Sequence, residues 1–96
     1  MFVIQVTYLK PLAEVDRVLP EHAAYLEEQY RRKRFIASGR LVPRTGGLII
    51  ANAGSKEELL ELLREDPFAR QGIAEYQVLE FTPTMYDPRF QVFVEE

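Results

Sequence analysis

An α+β fold of order βαββαβ, an antiparallel sheet sandwiched with helices on one face, is predicted for this 96-residue chain. Three observations predict it. Four short runs are alternating or wholly apolar, as strands are. Two segments carry apolar residues at helical spacing, and the two kinds of segment interleave rather than cluster. The length suits one domain, and 47% hydrophobic with 28% charged residues suits a packed one.

The first strand runs from Phe2 to Leu9. Phe2, Ile4, Val6 and Tyr8 form an apolar face, and Val3, Gln5, Thr7 and Leu9 a mixed one. Lys10-Pro11 ends it, because proline donates nothing to a ladder. Pro11 to Leu19 reads as a connector. Pro20 fits the first turn of a helix, which runs to about Ala37 with His22, Tyr25, Leu26 and Tyr30 on one side and stops at Gly39. Leu41 to Thr45 reads as an edge strand, since Pro43 lies inside it. Gly46-Gly47 signals a hairpin turn, and the strand that follows, to Ala53, is apolar on both faces at Leu48 to Ala51. Ser55 to Glu58 is a capping box opening a leucine-rich helix that ends near Asp66, the residue before Pro67. Gly72 closes the next turn, and Ala74 to Thr82 is the fourth strand. Residues 1–88 form the domain. Residues 89–96 form a tail whose alternation at Phe90, Val92 and Val94 predicts that it docks, on the domain or on a partner, as an added strand.

This order is the ferredoxin-like arrangement. Its two helices cover one sheet face, and the third strand is apolar on both. A second copy is the simplest cover for the other face, so a homodimer is expected, with the tail folding over that face as the alternative.

Composition excludes several classes. Net charge is −3 and pI about 5.2, which excludes a non-specific nucleic-acid or anionic-membrane binder as partner chemistry. No cysteine is present, so disulfides, thiolate ligands and cysteine nucleophiles are out, and one histidine does not build a typical histidine metal site. Neither a phosphate-binding glycine loop nor a dinucleotide fingerprint occurs. No metal and no cofactor is expected. No apolar run reaches the ~20 residues of a membrane span. The N-terminus lacks a basic flank and cleavage site, so the expected location is cytoplasmic.

His22 is the one imidazole. At the start of a helix, facing the sheet, it could act as a general base; the plainer reading is a buried histidine bonded to backbone. Asp66 before Pro67 could orient it, or could be only a helix cap. Ser38 and Arg44 are weaker candidates, one a helix-end residue, the other a loop cation able to hold an anion. Tyr8 and Tyr25 could line a pocket or fill core.

The Met1-Phe2-Val3-Ile4 strand, Pro20-Glu21-His22-Ala23-Ala24-Tyr25-Leu26, Phe35-Ile36-Ala37-Ser38-Gly39, Gly46-Gly47-Leu48-Ile49-Ile50 and Asp66-Pro67-Phe68 with Gly72, in this order and spacing, resemble the YciI-like proteins (YCII-related domain). The resemblance spans roughly Met1 to Pro88. It implies a ferredoxin-like dimeric α+β barrel and a catalytic dyad at His22 and Asp66; the expected small-molecule substrate would lie in a pocket between the first helix and the sheet, with Phe68 a weaker substrate-binding candidate. It also implies cofactor-independent lyase or isomerase chemistry on small cyclic compounds, dehydrochlorination included. Where the family commonly has Ala-Gly-Leu after the D-P-aromatic turn, this chain has Gln71-Gly72-Ile73. Two non-enzymatic alternatives stand beside that expectation: a small-ligand-binding or regulatory module using the same pocket, and an interaction domain.

Overall fold

The structure, a computed structural model, describes residues 1–94. In chain order it has β1 (Phe2–Tyr8), α1 (Leu12–Arg31), β2 (Phe35–Arg40), β3 (Gly46–Ala51), α2 (Lys56–Arg64), the single turn α3 (Pro67–Arg70) and β4 (Ala74–Glu80). The strands lie in the order β2-β3-β1-β4, every neighbouring pair antiparallel. This is the ferredoxin-like sheet, with both long helices on one face.

The alternation of β1 sorts the core. Phe2, Ile4 and Val6 are buried and pair across the sheet with Ala51, Ile49 and Gly47 on one side and Glu80, Val78 and Tyr76 on the other. Leu59, Leu62 and Leu63 of α2 close over them with Val15 and Val18 of α1. The opposite sheet face carries Val3, Ile50, Leu48 and Leu79, and Leu79 is 61% exposed.

The structure corrects the expectations in three regions. First, α1 begins at Leu12, eight residues before Pro20, which therefore lies inside the helix. An internal proline costs about 3 kcal/mol. Complete burial of Val15 and Val18, about 1.5–3 kcal/mol each, offsets it. His22 is consequently in the middle of the helix, not at its start. Second, α1 stops at Arg31 rather than Ala37. Lys33 takes a left-handed φ of 60°, and the Arg34 and Lys33 amides bond back to Gln29 and Tyr30 carbonyls. The segment read as a helix exit, Phe35 to Gly39, is β2, pulled into the sheet by Phe35, which is buried opposite Ala51. The segment read as the second strand, Leu41 to Thr45, is the β2–β3 connector, with a cis Val42–Pro43 bond. Gly46-Gly47 opens β3 instead of turning a hairpin. Gly46 is glycine because a Cβ there would run into the Val6 carbonyl oxygen. Third, the tail is not a strand. Pro88–Phe90 is a 3₁₀ turn and Gln91–Val94 a helical turn (α4). Its observed tie to the domain is a 2.7 Å hydrogen bond from the Asn52 side-chain amide to the Phe93 carbonyl. The last two residues of the predicted tail lie outside the described residues.

The capping box at α2 is half as read. Ser55 Oγ accepts the Glu58 amide at 3.1 Å, but Glu58 reaches the amide of Gly54, not that of Ser55.

Candidate active site

Asp66 is the N-cap of α3, and its Oδ1 accepts the Phe68 amide at 2.9 Å. Leu62 and Leu63 anchor the helix before it and Phe68 the turn after it, so the carboxylate is carried inward and is 0% exposed. A buried carboxylate must be fully hydrogen-bonded to persist. Two further donors supply that. The Tyr76 hydroxyl donates to Oδ2 at 2.7 Å, and His22 Nδ1 lies 2.8 Å from Oδ1. A carboxylate only accepts, so the imidazole proton in this contact is on Nδ1. The sequence left open whether Asp66 is a cap or an orienting group; the structure shows the same side chain making both contacts.

The His22 ring is fixed on a second side. It lies flat on Phe68, with centroids 3.9 Å apart and planes 3° apart. Nε2, on the far side of the ring from Asp66, has no partner among the described residues, and the His22 side chain retains 12% exposure. His22 lines a cavity of about 560 Å³, within the ~300–1,000 Å³ usual for small-molecule sites.

The cavity lies between α1 and the β1–β3–β2 side of the sheet. Asp16, Leu19, His22 and Leu26 of α1 form one wall, three or four residues apart as a helix face requires. Val6 and Ile49 form an apolar floor. Ser38 and Arg40 of β2 pair with Ile49 and Gly47, so both face the helices and line the far wall.

Of the residues singled out in the sequence, His22, Tyr8, Ser38, Arg44 and Phe68 meet at this cavity, with Asp66 directly behind His22. Ser38 does so from an edge strand rather than from a helix end, and its Oγ accepts the Tyr30 hydroxyl at 2.6 Å. Arg44 reaches Asp16 at 2.5 Å and lies over the Tyr8 ring. Tyr25 does not belong to the cavity. Its hydroxyl donates to the Leu62 carbonyl at 2.7 Å, and its half-buried ring packs edge-on against Phe35 of the core. Burial, with Asp66 close by, pushes the Tyr25 and Tyr76 hydroxyls well above their ordinary value near 10, so both stay protonated donors.

Three site residues were missed. Tyr76 had a usable signal, since a tyrosine on the core-facing side of a strand needs a partner for its hydroxyl. Arg40 and Asp16 had none, because each depended on the true bounds of β2 and α1. Among the described residues no group of three or more His, Asp or Glu side chains is placed to hold a metal ion. Nor is any of their helices long and apolar enough to cross a membrane.

Comparison with known proteins bears on this site. The family model for the YCII-related domain matches residues 1–82. Curated proteins contain no match to the sequence. Among solved structures, the chain is similar to 5-chloro-2-hydroxyhydroquinone dehydrochlorinase (TftG) from Burkholderia phenoliruptrix AC1100, in complex with 2,5-dihydroxybenzoquinone. Identity is 22%, the match covers 84% of this chain and 93% of that one, and the TM-score is 0.70. At that identity the likeness establishes the shared fold.

Proposed function

The chain belongs to the YCII-related domain family, and we propose that it is a small acid–base enzyme acting on a cyclic compound, with His22 as general base and Asp66 as the group that orients it. One observation carries the reading. A fully buried carboxylate lies 2.8 Å from Nδ1 of the chain's single histidine, and that histidine lines a cavity large enough for a ring, so Nε2 is the nitrogen left to act on a ligand.

In the step this geometry suits, Nε2 takes a proton from an acidic C–H or O–H of the substrate. The electron pair of that bond forms the new π bond, and a leaving group such as chloride departs with its own bonding pair, or the proton returns elsewhere and the reaction is an isomerisation. The imidazolium formed is stabilised by Asp66, whose charge the Phe68 amide and the Tyr76 hydroxyl already steady. The dehydrochlorinase neighbour, bound to a dihydroxyquinone, makes halogenated and hydroxylated rings the first substrates to try. A positioned acid–base group is worth about 10²–10⁴-fold. Wild-type protein and His22→Gln should be assayed with such rings for chloride release and absorbance change. Turnover that falls by that factor in His22→Gln is expected. Turnover indifferent to His22, or ligand binding with none at all, contradicts the reading, and the latter points to a binding module.

We propose further that the chain is a homodimer joined through the open sheet face. Leu48, Leu79 and Phe81 are 37%, 61% and 43% exposed, with Val3 and Ile50 half-buried beside them. A contiguous apolar surface on the uncovered side of a sheet supports an interface there.

A further inference from the structure

The cavity beside His22 is lined by more positive charge than negative, in a chain whose net charge is −3. Two arginines and one aspartate face it. Arg44 and Asp16 neutralise one another across the mouth, linking the β2–β3 connector to α1. The Arg40 guanidinium has no hydrogen bond or ion pair among the described residues. It stands two residues from Ser38 on the same face of β2, and that face is opposite His22. Ser38 is oriented as well. Its oxygen accepts from Tyr30, so its own hydroxyl proton is free to be donated.

The wall across from the base therefore presents one uncommitted guanidinium and one uncommitted hydroxyl donor, above an apolar floor of Val6 and Ile49. A guanidinium recognises planar oxyanions by paired N–H contacts, which a neutral ether oxygen does not reproduce. A flat ring held between these walls would present one edge to His22 and the other to Arg40. We infer that the cavity selects planar cyclic compounds bearing an ionised hydroxyl or carboxylate, with Arg40 binding that anionic oxygen, Ser38 donating to it, and Asp16 weakening anion binding by occupying Arg44. The inference rests on the reading that the His22 cavity is the ligand site.

Two quinones of one ring test it: 2,5-dihydroxy-1,4-benzoquinone, whose hydroxyls ionise in neutral water, and its 2,5-dimethoxy ether, which does not ionise. Calorimetric titration of both into wild-type protein, Arg40→Gln and Asp16→Asn reads the selectivity. A charge-assisted contact corresponds to about 10–100-fold in affinity. Wild-type protein should prefer the ionised ring by about tenfold or more. Arg40→Gln should bind the two rings within about twofold of one another, and Asp16→Asn should tighten the ionised ring. Arg40 is exposed, so the melting temperature of Arg40→Gln should stay that of wild type. Equal affinity for the two rings in wild-type protein, an undiminished preference in Arg40→Gln, or no binding of either ring overturns the inference. Its failure and that of the catalytic reading are distinguishable. Charge selection with turnover indifferent to His22 defeats only the latter; His22-dependent turnover without charge selection defeats only the former.

Discussion

The His22 imidazole lies 3.9 Å from the Phe68 ring and within 3° of parallel to it, while the residue two positions before Phe68 holds the same imidazole in its own plane. One turn, Asp66-Pro67-Phe68, thus fixes the ring twice. Asp66 sets its rotation by a hydrogen bond, and Phe68 sets its tilt by contact over a face. Pro67 at the first position of α3 places the Asp66 side chain as a cap and so makes both contacts compatible.

Replacing Asp66 should separate its two roles. Asparagine can still cap, accept from His22 Nδ1 and bond Tyr76 through its amide, so Asp66→Asn should fold. It removes the charge that stabilises imidazolium, and turnover should fall by about 10²–10⁴-fold. Asp66→Ala strands the Tyr76 hydroxyl, the Phe68 amide and Nδ1–H in the interior. That should cost about 2–4 kcal/mol, a large part of the stability of a domain this size. Thermal melts of the two variants beside assays for turnover and binding check both halves.

The buried tyrosines predict a loss of stability in alkali. The Tyr76 and Tyr25 hydroxyls hold their protons more tightly folded than unfolded. Above the ordinary value near 10 the unfolded state therefore binds fewer protons than the native one. Stability from these groups is complete below that pH and is lost as pH rises above it. Melting temperature should fall from about pH 10 upward, and Tyr76→Phe should flatten the fall. An unchanged alkaline slope in Tyr76→Phe would contradict the burial of that hydroxyl.

Ile49 and Ile50 should respond oppositely to aspartate. Ile49 is buried at 2% exposure under the helices, and Ile50 faces the open side of the sheet. Sedimentation of wild-type protein at micromolar concentration should give about twice the 11.2 kDa chain mass. Ile50→Asp should sediment as a folded monomer, and Ile49→Asp should not fold. A wild-type monomer would contradict the dimer.

Gly46 should not tolerate a side chain. The Val6 carbonyl stands where its Cβ would be, and backbone does not give way as a flexible side chain does. Gly46→Ala should cost about 1–3 kcal/mol by overpacking, read as a lowered melting temperature.

The sequence made β1, α2 and β4 legible within two residues, because their periodicity and capping signals are local. The stretch between residues 12 and 45 was not. Pro20 carries a strong start signal that the burial of Val15 and Val18 overrides. The real end of α1 has no glycine; Lys33 takes the left-handed conformation that glycine usually supplies. Displacing that end hid β2, and with it Arg40. The His22–Asp66 pairing spans 44 residues, so local pattern named each member, and only the expected topology and the family resemblance brought them together. Tyr25 shares a side of α1 with His22, which made it a pocket candidate, yet only His22 of the two borders the cavity.

The chain's single histidine makes one measurement decisive. Long-range ¹H–¹⁵N correlation of the imidazole, with the ring in its neutral form, reads which nitrogen holds the proton, without assignment ambiguity. The Asp66 contact requires Nδ1–H with Nε2 unprotonated, and Asp66→Ala should release the ring toward the mixture of forms seen in free histidine. A wild-type ring protonated at Nε2, or one already exchanging between the two forms, would contradict an Asp66-held base facing the cavity.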